Sequence, residues 1–192
     1  MVNNYDPDKH HRRSIRLEGY DYSQGGAYFV TLCTHGRQPL FGQVVGETMT
    51  LNLVGTVVEQ CWRWLGERYS HVELDEWMVM PNHLHGIIAM RDDAGGAGSQ
   101  TAFIRRKSLG RLIGAFKTVS TNRSNPIRQG RRSVIWQRNY FERIIRDGDE
   151  LNRVREYISE NPARWETDGE NPEARIVTAR QPWDEQIGFE DR

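Results

Sequence analysis

WMVMPNHLHGIIAM, residues 77–90, joins two apolar runs through Met80-Pro81-Asn82-His83. Pro at the second position and Asn at the third suit a tight turn, so the stretch reads as an antiparallel hairpin. Side chains alternate along a strand, which sends His83 and His85 to one face and Leu84 to the other, with Gly86 expected to leave room beside the imidazoles. Two neutral imidazoles at that spacing form a candidate metal claw, because both nitrogens reach one ion from a rigid element. The same spacing also arises by chance on strands, so the chain around it has to decide.

Upstream, Asn52 is a reasonable N-cap for a helix whose apolar residues Leu53, Val54, Val57, Val58, Cys61, Trp62 and Leu65 recur three and four apart and fade near Tyr69. Before it, Gly46-Glu47 sits between short apolar pairs as the turn of a small hairpin. AYFVTLCT, residues 27–34, is β-branched, aromatic and alternating, and reads as the first sheet strand. Residues 1–23 form a basic N-terminal arm, with His10, His11, Arg12, Arg13 and Arg16 ahead of Tyr20 and Tyr22.

Downstream, RDDAGGAGSQ reads as a Gly-rich linker, and after it the composition changes. Residues 94–141 contain no Asp or Glu but ten basic side chains: Arg105, Arg106, Lys107, Arg111, Lys117, Arg123, Arg128, Arg131, Arg132 and Arg138. A helix with Ser108 as N-cap and Leu109, Leu112, Ile113, Phe116 and Val119 on its inner face carries part of this charge. In a chain of formal net charge zero, such an acid-free window reads as a polyanion footprint, against the plainer reading of a solvated surface. The balancing acids, including Glu166, Asp168, Glu170 and Glu173, fall in an acidic C-terminal extension over 166–192.

VIWQRNYFERII, residues 134–145, reads as one long strand. Asp147 with Glu150 is a capping-box pattern for a helix with Leu151, Val154 and Ile158 buried, ending at Asn161-Pro162. Tyr157 borders that stripe and Asn161 lies one turn further on its face, a geometry that a plain core-edge tyrosine also satisfies. The order β-α-β-β-α-β-α is an α+β sandwich of ferredoxin-like topology with one extra, C-terminal helix carrying the tyrosine.

Several function classes are excluded or made unnecessary. At 192 residues the chain buries a full core as one domain with extensions. Cys33 and Cys61 lie in apolar patterns without metal or disulfide spacing and read as reduced core residues. There is no long apolar run and no secretory h-region, so the expectation is a cytoplasmic protein with no membrane partner.

Three stretches, MPNHLHGII at 80–88, WQRNYFERIIRD at 136–147 and REYISENPARW at 155–165, coincide in an order that resembles the HUH-type single-tyrosine transposases of the insertion-sequence and REP-associated kinds. RRSIRLEGYDY and AYFVTLCTHGRQPLFG extend the likeness, which spans residues 12–165. The acidic extension and the Gly-rich insertion depart from it. Position by position, the resemblance implies metal-binding histidines at His83 and His85, a nucleophile at Tyr157, a polar third ligand at Asn161, and a catalytic domain over 24–165.

It further implies a Mg²⁺- or Mn²⁺-dependent enzyme that cuts and rejoins single-stranded, hairpin-bearing DNA through a 5′-phosphotyrosine. Arg105, Arg106, Lys107, Arg111, Lys117, Arg123, Arg131, Arg132 and Arg138 would follow its phosphates. The other readings are a non-catalytic nucleic-acid-binding repressor, in which the histidines and tyrosine are structural, and a metal-dependent hydrolase without a covalent step. The sequence allows a homodimer and does not exclude a monomer.

Overall fold

The computed structural model describes residues 20–92, 107–128 and 134–174. In chain order the elements are β1 (Gly26–Cys33), β2 (Gly42–Val45), β3 (Thr48–Leu51), α1 (Leu53–Arg68), β4 (Val72–Val79), β5 (His83–Met90), α2 (Leu109–Ser124), β6 (Phe141–Ile145) and α3 (Gly148–Glu160), with short 3-10 turns at His35–Arg37 and Trp165–Thr167. The main sheet is antiparallel and ordered β4-β5-β1-β6. With the β2-β3 ribbon set aside, this is the split β-α-β order expected from the sequence.

The sheet divides the core. On one face Tyr28, Val30, Leu32, Leu84 and Ile88 meet α1 and α2, where Trp62 and Phe116 pack edge to face at 5.2 Å. On the other, Phe29, Ile87 and Ile145 meet Val154, Tyr157 and Ile158 of α3. The histidines of β5 belong to this second face. Gly86 points the other way: a Cβ there would lie 2.5 Å from Trp62 Cζ2. The room expected beside the imidazoles is instead the seat of an indole, because the strand's alternation puts Gly86 with Leu84.

Local signals account for most boundaries. Asn52 accepts from Gly55 N at 3.0 Å and starts α1. Gly46 and Glu47 both take positive φ, 53° and 64°, the pairing that a two-residue hairpin turn demands. Asp147 caps α3 by accepting from Glu150 N at 2.7 Å. The capping box is only half made, since the Glu150 carboxylate accepts from Arg143 Nε and Arg146 N instead. Ser108 precedes α2 without a side-chain cap bond.

The expected strand over 134–145 shrinks to Phe141–Ile145. Trp136 donates its indole N–H to Ser120 Oγ at 2.8 Å, and Lys117 Nζ donates to the carbonyls of Gln137 and Asn139 at 2.8 and 3.0 Å. These anchors take the backbone off the sheet line, leaving a lone bridge from Trp136 to Thr34. Residues 1–19 of the basic arm lie outside the described residues. Tyr20 and Tyr22 pack on Tyr28, with ring centroids 6.4 and 5.9 Å away. Among the described residues no helix is long and apolar enough to cross a membrane.

Candidate active site

His83 and His85 project from β5 toward α3 with ring centroids 4.4 Å apart, both wholly buried. The connection before them is fixed by backbone bonds: Met80 N donates to His83 O, Thr34 N to Asn82 O and Phe41 N to Pro81 O. Strand register places Thr31 opposite His85 and Cys33 opposite His83.

Each imidazole has one nitrogen held by a neighbour. His83 Nδ1 lies 2.9 Å from Asn82 Oδ1, which only accepts, so Nδ1 carries the proton and Nε2 keeps its lone pair. His85 Nδ1 lies 2.8 Å from Thr31 Oγ1. Outer partners of this kind orient metal-binding imidazoles. Burial disfavours the imidazolium and lowers both basicities, with the neighbouring His83 lowering that of His85 further. Both rings are therefore neutral at neutral pH.

Tyr157 comes from α3, where Val154 and Ile158 lock the helix on the sheet and Phe29 meets the phenol ring edge-on at 6.1 Å. Its hydroxyl lies 3.3 Å from His85 Nε2. Burial and the nearby Asp168 push its pKa well above the ordinary tyrosine range. Asn161, the C-cap of α3, is 1 % exposed and donates Nδ2–H to Asp168 Oδ2 at 3.1 Å.

Asp168, expected in the acidic extension, is 7 % exposed with Oδ2 3.9 Å from His83 Nε2. Glu170 N donates to Asp168 Oδ1, and the Glu170 carbonyl accepts from Asn82 Nδ2. The Glu170 carboxylate meets Arg37 Nε and Cys33 Sγ, each at 3.2 Å. The first part of the region expected as a separate extension is thus packed against the histidine hairpin.

His83, His85 and Asp168 offer ligand atoms all within 4.8 Å of one another, a group able to hold a metal ion. The donor set fits: His83 Nε2 and Asn161 Oδ1 are buried without a hydrogen-bond partner, which is costly unless something else engages them. Two imidazoles and oxygen donors suit Mn²⁺, with Mg²⁺ the harder alternative.

The expected phosphate-binding residues are placed unevenly. Arg111, Arg123 and Arg138 are exposed. Lys117 is not a free cation, since it holds the loop carbonyls named above. Lys107 donates to Tyr69 Oη at 2.9 Å and lies over that ring. Arg105, Arg106, Arg131 and Arg132 lie outside the described residues. Asn82, Thr31, Arg37, Asp168 and Glu170 are not among the site residues expected from the sequence. Asn82 has a signal in its place beside the histidine pair; Asp168 and Glu170 are masked by the charge around them.

No family model matches the chain. A Haemophilus influenzae protein of uncharacterised function is 36 % identical over 177 residues, covering 88 % of this chain and 97 % of its own length. A second protein from that organism, provisionally named a REP-associated tyrosine transposase, is 24 % identical over 144 residues, 75 % of this chain and 74 % of its own. The solved structure of a REP-associated tyrosine transposase bound to a REP hairpin superposes with a TM-score of 0.55 at 18 % identity, covering 79 % of this chain and 73 % of that one. The chain is thus kin to the uncharacterised Haemophilus influenzae protein, and in sequence and in fold it is similar to the REP-associated tyrosine transposases.

Proposed function

We propose that the protein is a metal-dependent DNA strand transferase that cuts and rejoins hairpin-bearing single-stranded DNA, with Tyr157 as nucleophile. The observation that carries the reading is the approach of Tyr157 Oη to His85 Nε2, 3.3 Å, inside a group able to hold a metal. Of the described tyrosines, Tyr157 is the one whose hydroxyl and ring both stand against His85.

In the cutting step the phenol oxygen attacks a backbone phosphorus and the P–O3′ bond breaks. The phenol gives up its proton, and the departing 3′ oxygen leaves as a hydroxyl. A 5′-phosphotyrosine retains the bond energy, so a second 3′ hydroxyl can reverse the step on a new strand without ATP. A divalent cation held by His83, His85 and Asp168 or Asn161 would supply Lewis-acid charge to the non-bridging phosphate oxygens.

The chain's own contribution is positional. α3 fixes the phenol's distance from His85, Asn82 and Thr31 fix the ring orientations, and the neutral histidines keep lone pairs for a cation. The exposed arginines of the acid-free window supply phosphate contacts, and the hairpin partner is the kind bound by the structural relative.

The test is adduct trapping. Full-length protein with Mn²⁺ and a labelled oligonucleotide carrying a hairpin should give a band that survives denaturation. Tyr157→Phe should abolish it while hairpin binding persists. An adduct in the Phe variant, or one mapped to Tyr140, refutes the assignment.

A further inference from the structure

His85 Nε2 is asked to do two things. Its Nδ1 is engaged by Thr31 Oγ1 at 2.8 Å, which leaves Nε2 as the only ring atom with a free direction. A neutral imidazole has one lone pair and one N–H. In the tautomer that a cation on Nε2 would require, Nδ1–H is donated to Thr31 and the Nε2 lone pair accepts the Tyr157 O–H at 3.3 Å. Any cation bound through His85 must use that same lone pair.

We propose that Tyr157 and the divalent cation compete for His85 Nε2, so that metal loading is the event that releases the phenol from its histidine. This rests on the metal-dependent reading above and adds an order of events to it. Before loading, the phenol proton is committed to the imidazole and the ring is packed between Phe29 and the helix. After loading, the phenol oxygen would have lost its histidine, keeping the Asn161 side chain that also reaches it, and could turn to an incoming phosphate. A nucleophile held this way is unavailable until the charge that assists it is in place.

Competition for one lone pair is reciprocal: whatever weakens the phenol's hold strengthens metal binding by the same factor. His83 supplies the contrast within the same site, since its Nε2 is buried without a hydrogen-bond partner and has nothing to give up when a cation arrives. The cost of loading therefore resides at His85.

The experiment is a calorimetric titration of full-length metal-free protein with Mn²⁺, in the absence of DNA, comparing wild type with Tyr157→Phe. The Phe ring retains the packing and removes only the competing hydroxyl. The variant should bind Mn²⁺ about two- to tenfold more tightly, the range that one hydrogen bond allows. A second readout is the Tyr157 ring carbon resonance in ¹³C-tyrosine-labelled wild type, which should shift on saturation with Mg²⁺.

Equal or weaker Mn²⁺ affinity in the variant overturns the competition. Failure of both proteins to bind Mn²⁺ overturns the competition and the metal-dependent reading together. Tighter binding by the variant, with no covalent adduct from metal-loaded wild type and hairpin DNA, upholds the competition and sinks only the strand-transfer reading.

Discussion

His83 Nε2 and Asp168 Oδ2 lie 3.9 Å apart, too far for a hydrogen bond and close enough to share an ion, since two metal–ligand bonds of about 2.1 Å span up to about 4.2 Å. This relationship ties the hairpin to a residue 85 positions later in the chain. It also puts a carboxylate where the resemblance implies only Asn161.

Asp168→Ala should therefore weaken Mn²⁺ binding by about tenfold or more, measured by calorimetry on metal-free protein. Asn161→Ala should weaken it less, because Asn161 Nδ2 is already donated to Asp168 and only Oδ1 faces the site unpartnered. The reverse ranking would make Asn161 the third ligand and Asp168 its support.

A second prediction concerns the opposite face of the same strand. Gly86 is covered by Trp62, and an added methyl would stand 2.5 Å from its ring. Both elements are rigid, so Gly86→Ala should cost about 1–3 kcal/mol of stability as overpacking. Denaturant unfolding with an unchanged slope would register it, and a neutral result would show that the α1 face of the sheet yields more easily than its packing implies.

Asp75 and Arg155 couple the edge strand to the tyrosine helix. Arg155 donates Nε–H to Asp75 Oδ1 at 2.8 Å and Nη2–H to Oδ2 at 2.6 Å, and these bonds hold the carboxyl below its ordinary value. On acidification the unfolded chain takes up this proton before the folded one does. The pair's stabilisation is thus present at neutral pH and disappears as pH falls below about 4. Arg155→Gln should be less stable by up to about 1 kcal/mol at pH 7, the gap closing in acid. A gap of constant size across that range would assign the loss to packing of the arginine stem.

How much of this is legible in the sequence follows from the range of each interaction. Asn52, Gly46-Glu47 and Asp147 act within four residues, and their turns and caps can be read directly. The succession of strands and helices follows from the alternation of apolar periods, whereas the neighbour order of the strands is set by contacts far apart in the chain. The loop at 136–139 cannot be read: it depends on Ser120, which holds Trp136, and on Lys117, which holds the carbonyls after it, both from another element, and its own composition looks like strand. Asp168 is hidden for a similar reason, since its role depends on Asn82 and Asn161 closing around it and nothing local distinguishes it from its acidic neighbours. Tyr157 and the histidines are legible as a set only through the resemblance, as spacing alone also allows a core-edge tyrosine.

The last prediction separates cations that bind DNA from cations that hold the fold. α2 buries Leu109, Leu112, Ile113 and Phe116 and leaves Arg111 and Arg123 exposed, with Arg138 exposed on the loop beside it. Lys117, on the same helix, spends its ammonium on loop carbonyls, and burial lowers its pKa to about 8. Replacing Arg111, Arg123 and Arg138 by Gln should flatten the salt dependence of hairpin binding, by about 0.7–0.9 in log–log slope for each phosphate no longer neutralised, with stability nearly unchanged. Lys117→Gln should do the opposite, lowering stability by about 1–3 kcal/mol through the unpaired carbonyls while leaving the slope close to wild type. The two substitutions differ by assay as well as by size. If Lys117→Gln flattens the slope while the triple variant does not, the phosphate path runs along the loop at 137–139 and not across the exposed face of α2.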